Sequence, residues 1–172
     1  VAALKVGPGL APDTQLGPLI NAAAVDKVDA LVQDAIRLGA QVALGGTRHA
    51  LGGHFYAPTV LTHVTPQMRL AQEEIFGPVA PIFRFHSDEE AVQLANDTRS
   101  GLAAYFYARD ISRVWRVAEQ LDYGMVGINE GLISNEMAPF GGVKESGVGR
   151  EGSRHGIDEY LEMKYLCLGG MA

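Results

Sequence analysis

Apolar residues recur along this chain at two spacings, and the two alternate. Between residues 21 and 38, Ala24, Val28, Leu31, Val32 and Ala35 share one helical face, with Asn21 placed to cap the first turn and Gly39 to stop the last. QVALGG (41–46) then reads as a short strand ending in a turn. TVLTHV (59–64) and VAPIFRF (79–85) are two further strands, the second opened by the Gly77-Pro78 break. Ser87 heads S-D-E-E, a capping box in which Ser87 and Glu90 satisfy each other's backbone N–H groups, and the box starts a helix to about Asn96. The aromatic run AAYFYA (103–108) predicts a buried strand. Asp110 caps a helix with the apolar stripe Ile111, Val114, Trp115, Ala118 and Leu121, stopped at Gly124, and MVGIN (125–129) is the next strand. After a glycine-rich loop, residues 151–162 read as helix and MKYLCLGG (163–170) as a terminal strand. The unbroken apolar run Tyr165–Leu168 suits a strand covered on both faces. Strands alternating with helices imply crossover connections, so the expected class is α/β with a largely parallel sheet and flanking helices.

Composition narrows the functions without naming one. The 172 residues are 47% hydrophobic and 20% charged, the balance of an ordinary globular chain. A net charge of −6 argues against nucleic acid, whose phosphates need clustered Lys and Arg. No apolar run approaches the roughly 20 residues that cross a bilayer, so no membrane partner is expected. VAALKVGPGL lacks the basic start and apolar core of a signal peptide, and the absence of an initiator Met suggests an excised piece. One cysteine excludes an internal disulfide and fits a reducing compartment, cytoplasmic or mitochondrial matrix.

That cysteine, Cys167, lies between leucines, so the expectation is a packed structural thiol and not a nucleophile. His49, His54, His63, His86 and His155 have no metal-ligand spacing, and no metal site is expected. Two stretches remain. QEEIFGPV (72–79) reads either as a solvated turn, or as a loop offering a carboxylate to a vicinal diol with a phenyl ring beside a flat ligand. In NEGLISNEMAPFGGVKESGVGREG (129–152) the glycines read either as a close backbone crossing, or as part of a pocket lined by Ser134 and Phe140.

E-E-I-F-G-P followed by P-F-G-G-V-K-E-S-G-V-G-R-E resembles the aldehyde dehydrogenase superfamily, and the likeness runs over residues 1–168, including GPLI (17–20) and GLAAYFYARD (101–110). Within it the chain is most similar to the succinate-semialdehyde dehydrogenases. The resemblance implies that Glu74 hydrogen-bonds the nicotinamide-side ribose of NAD or NADP and that Phe76 flanks the nicotinamide. It implies that Ser134 helps to hold the carboxylate of the semialdehyde and that Phe140 walls the aldehyde. The glycine loop then belongs to the aldehyde funnel and binds no phosphate.

The family's nucleophilic cysteine, its general-base glutamate, its dinucleotide-binding half and the arginines for the substrate carboxylate match nothing in this chain. No catalytic residue is therefore assigned. The chain is read as the C-terminal part of a longer enzyme: residues 1–133 a partial catalytic domain, residues 134–172 the funnel loop, C-terminal helix and oligomerisation strand. The whole enzyme would oxidise succinate semialdehyde to succinate through a thiohemiacetal, hydride transfer and thioester hydrolysis. Glutarate semialdehyde is the alternative, since one methylene is worth only about 1–3 kcal/mol in a pocket. Isolated, the chain is expected to be inactive, a non-catalytic module that forms homo-oligomers through its terminal strand.

Overall fold

The computed structural model describes residues 1–170, and the chain divides into two compact units, Val1–Ser87 and Asp88–Ala172. The class is α/β, with helices and small sheets.

In the first unit, helix α1 (Ala22–Arg37) begins where the sequence placed it, with the Asn21 side chain accepting from the Ala24 N–H at 2.8 Å. Its buried face is Val25, Val28, Leu31, Val32 and Ala35, so Val25 replaces Ala24 in the expected stripe. Gly39, at φ +104, ends it in the left-handed conformation that glycine adopts without strain. Strand β1 (Gln41–Leu44) pairs antiparallel with β2 (Thr59–Thr62), and β2 pairs parallel with β3 (Val79–Pro81). Tyr56, Leu61, Val64, Met68 and Leu70 close on the α1 face to form a continuous buried core. Tyr56 is 2% exposed, and its hydroxyl donates to Asp29 at 3.2 Å. Burial, with Asp29 adjoining, raises the Tyr56 pKa strongly.

In the second unit, α2 (Asp88–Asn96) starts directly after Ser87. Strand β4 (Ser100–Gly101) follows, then β5 (Ala103–Phe106), helix α3 (Ile111–Gln120) and β6 (Met125–Ile128). β5 and β6 lie parallel, Ala103 opposite Met125 through Phe106 opposite Ile128, and α3 makes the crossover. The Asp110 side chain caps α3 by accepting from the Arg113 N–H at 2.7 Å. Strand β7 (Val143–Lys144) returns antiparallel to β4.

Several expectations do not hold. Two of the four strand pairings are antiparallel, β1 with β2 and β4 with β7, so the small sheets are mixed and not largely parallel. No residue of α3 is fully buried, and its Ile111 and Trp115 stand 65% and 64% exposed. Residues 151–162 form only a 3₁₀ turn at Asp158–Tyr160 after a run of turns. MKYLCLGG forms no strand: a strand needs a hydrogen-bonding edge opposite it, and none is paired with this segment among the described residues. Cys167 is consequently exposed, contrary to the packed thiol expected.

Candidate functional site

The segment between Ala71 and Val79 separates two adjacent carboxylates by what each touches. Glu73 is engaged: the Arg69 guanidinium donates to it through Nε at 2.7 Å and Nη2 at 2.9 Å. That fork holds its carboxyl below the usual carboxylate range. Glu74 is exposed and has no hydrogen-bond or ion-pair partner among the described residues. Its acceptor oxygens are available to a diol. Phe76 follows at φ +49, a conformation that costs a phenylalanine energy and that ligand clamps often retain. Its ring, 76% exposed, lines an apolar cavity of about 530 Å³ with Leu16, Leu19, Ile20, Tyr56 and Pro78. The loop sits down on α1 only because residue 77 is glycine; a Cβ there would come within 2.5 Å of Val28.

In the second unit, Ser134 and Phe140 line the same depression, about 390 Å³, with Asn135, Glu136, Ala138, Glu151 and Gly152. Two backbone bonds fix Phe140: its N–H donates to the Glu151 carbonyl at 2.9 Å and its carbonyl accepts from the Glu151 N–H at 2.7 Å. The Ser153 N–H ties the Glu136 carbonyl at 3.0 Å. Arg150 donates through one nitrogen to the carbonyls of Gly142 and Gly149, both at 2.7 Å, drawing the arms of the glycine loop together. The loop needs its glycines for clearance: a Cβ on Gly141 would meet the Gly149 carbonyl at 2.5 Å, and one on Gly124 would collide with the Gly141 carbonyl. The Ser134 hydroxyl is exposed and has no partner among the described residues.

The four predicted residues thus fall as two pairs, Glu74 and Phe76 in the first unit, Ser134 and Phe140 in the second. Sequence reasoning missed Glu151, which lines the depression beside Phe140 and also, with Arg150, a larger neighbouring cavity of about 840 Å³. The signal available was the loop itself, since a glycine hairpin closing on Phe140 must bring a residue of G-R-E opposite it. Glu136 and Glu151 both line the depression, with no cation, so an anionic substrate tail bound there needs positive charge from outside its lining. Among the described residues no group of three or more His, Cys, Asp or Glu could hold a metal, and no helix is long and apolar enough to cross a membrane.

The model of the "Aldehyde dehydrogenase family" matches residues 1–166. The chain belongs to that family. A 3-sulfolactaldehyde dehydrogenase from Pseudomonas putida is 60% identical over 168 residues, covering 98% of this chain and 35% of the relative. A glutarate-semialdehyde dehydrogenase from Pseudomonas aeruginosa is 58% identical over 171 residues, covering 99% of this chain and 35% of the relative. The crystal structure of succinate-semialdehyde dehydrogenase from Burkholderia pseudomallei superposes with a TM-score of 0.93 at 65% identity, over 97% of this chain and 35% of that one. A betaine aldehyde dehydrogenase from Staphylococcus aureus, solved in complex with NAD+, has a TM-score of 0.87 at 40% identity, over 92% of this chain and 32% of that one. The chain therefore spans about a third of the length of the aldehyde dehydrogenases it matches.

Proposed function

We propose that the protein to which this chain belongs is an NAD(P)-dependent semialdehyde dehydrogenase that oxidises succinate semialdehyde to succinate. The observation that carries this reading is the pairing of an unpartnered hydroxyl, Ser134, with a fixed aromatic ring, Phe140, in one depression of a chain similar to enzymes named for short aldehydes with anionic tails. Phe140 packs against the carbon chain of the substrate, and Ser134 donates to its terminal carboxylate, a charge-assisted bond. Cations that complete the carboxylate site belong to the rest of the protein.

Glu74 and Phe76 fit the nicotinamide end of NAD(P), the group that accepts the hydride when bound. Glu74 offers free acceptor oxygens for a ribose diol, and the exposed Phe76 ring offers a face to a planar heterocycle. Taken alone, the chain is inactive in oxidation and serves in assembly: Met163, Tyr165, Leu166 and Leu168 are at least 78% exposed, an apolar ribbon suited to the edge of another subunit.

Glutarate semialdehyde is the second reading, favoured by the Pseudomonas aeruginosa relative. Steady-state oxidation by the whole protein of the two semialdehydes, 3-sulfolactaldehyde and an uncharged aldehyde of equal length tests both. The highest kcat/KM is expected for succinate semialdehyde. Equal efficiency on the uncharged aldehyde would defeat the anionic-tail reading, and a preference for the five-carbon substrate would select the second.

A further inference from the structure

One cation near the candidate site is enclosed as no surface ion pair is. Lys144, in β7, has φ +55, and its side chain is only 21% exposed. Its ammonium donates to the carbonyls of Asn96 at 3.0 Å and Thr98 at 3.3 Å and lies 3.1 Å from the Asp122 carboxylate. Two donated hydrogen bonds and an ion pair thus hold the ammonium. The ring of Tyr123 stands 5.7 Å away, within cation–π range.

The oxygens come from different elements. Asn96 ends α2, so the ammonium satisfies a carbonyl of that helix terminus, where positive charge is favoured. Asp122 and Tyr123 belong to the turn between α3 and β6. That turn is itself stitched to α2: the Asn96 side chain donates to the Gln120 carbonyl at 2.7 Å and accepts from the Asp122 N–H at 2.9 Å, and the Tyr123 hydroxyl donates to the Ala95 carbonyl at 2.5 Å. A lysine ammonium is strongly hydrated, and this one has exchanged water for two carbonyls, a carboxylate and a ring face. That is the coordination a bound monovalent cation takes.

We propose that Lys144 is a positioning residue for the aldehyde pocket, a tethered cation that locks β7, and through it Phe140, against the ends of α2 and α3. Only Gly141, Gly142 and Val143 separate Lys144 from Phe140. Those glycines have no slack: a Cβ on Gly142 would come 3.1 Å from the Gly101 carbonyl and 2.6 Å from Ser146 Cβ. A displacement of β7 is therefore passed to the ring. The inference rests on the reading of Phe140 as a pocket wall.

The test uses the whole protein and the aldehyde it oxidises best. Lys144→Ala is expected to raise the KM for that aldehyde about tenfold, a misplacement effect, while leaving the KM for NAD(P) unchanged. Methylammonium should restore both the aldehyde KM and the thermal midpoint, and tetramethylammonium at equal ionic strength should restore neither, because only the former donates hydrogen bonds. Lys144→Met, which fills the channel without charge, should resist rescue. An unchanged aldehyde KM, an equal rise in both KM values, or rescue that fails with methylammonium or succeeds with tetramethylammonium would overturn the proposal. Where Lys144→Ala does not fold, Asp122→Asn, at a carboxylate 58% exposed, carries the test: the same selective rise, smaller, is expected, and its absence overturns the positioning role. A protein that oxidises no aldehyde would overturn the dehydrogenase reading and the positioning role with it, while a methylammonium-dependent midpoint in Lys144→Ala would still establish the cation lock.

Discussion

The two units of the chain divide their apolar residues differently. In Val1–Ser87, Val25, Val28, Leu31, Tyr56, Leu61 and Met68 are all at most 2% exposed. In Asp88–Ala172, Val92 is the one buried large hydrophobic residue among those described, while Tyr107, Trp115, Leu132, Tyr160 and Leu166 are largely exposed. The first unit carries a core of its own. The second holds together by directional contacts at helix ends and loop crossings (Lys144, Asn96, Arg150) and presents apolar surface that a larger protein would cover. Stability and function should accordingly respond to mutation in different places.

The largest effect is expected from the core. Leu31→Ala should destabilise the chain by about 2–5 kcal/mol, the cost of a cavity at a fully buried site, whereas Trp115→Ala should change stability by less than about 0.5 kcal/mol. Denaturant unfolding of the 172-residue chain measures both, and comparable losses would erase the contrast. Next comes Ser134→Ala in the whole protein. It should raise the KM for succinate semialdehyde about tenfold or more, since a charge-assisted hydrogen bond is worth about 1.5–3 kcal/mol, and should spare an uncharged aldehyde. Equal losses on both substrates would make Ser134 a packing residue.

Glu74→Gln sharpens the comparison from the other side, as a functional position in the unit that has the core. Slower hydride transfer with an unchanged unfolding midpoint is expected, because the carboxylate supports nothing in the fold; single-turnover kinetics and calorimetry report the two separately. The smallest effect belongs to Asp88. A hydrogen bond from Arg116, with Arg113 adjoining, lowers its carboxyl below the usual 3.8. Because the folded pKa is the lower one, its contribution is present above 3.8 and is lost as pH falls through the folded value. Asp88→Asn should therefore lower the unfolding midpoint slightly at neutral pH and not at all in strong acid, by pH-dependent thermal unfolding.

What the sequence made legible was what is locally determined. Asn21, Gly39 and Asp110 cap or stop helices by bonds within a few residues, so α1 and α3 were readable from one turn of chain. The segment 163–170, with its apolar run Tyr165–Leu168, reads as a strand, but strand formation is a property of two edges, and no edge meets it among the described residues. The stripe of α3 shows the same limit: periodicity marks which face is apolar, and what covers that face is decided elsewhere. Within the candidate site, Ser134 and Phe140 were legible as motif residues, and the structure places both on one depression. The split between Glu73 and Glu74 was not legible, because it depends on which carboxylate Arg69 reaches. Lys144 was invisible for a similar reason: its oxygens come from residues 96, 98 and 122.

Tyr56 offers an optical handle on this molecule. Its hydroxyl is enclosed by the first unit's core and hydrogen-bonded to Asp29, and its ionisation is pushed well above that of a solvent-facing phenol. Tyr105, Tyr107, Tyr160 and Tyr165 stand in solvent. In an alkaline titration followed by ultraviolet absorbance, the Tyr56 phenolate increment waits until the core opens. That delayed increment turns one buried side chain into a built-in clock for the opening of the first unit, with no label attached.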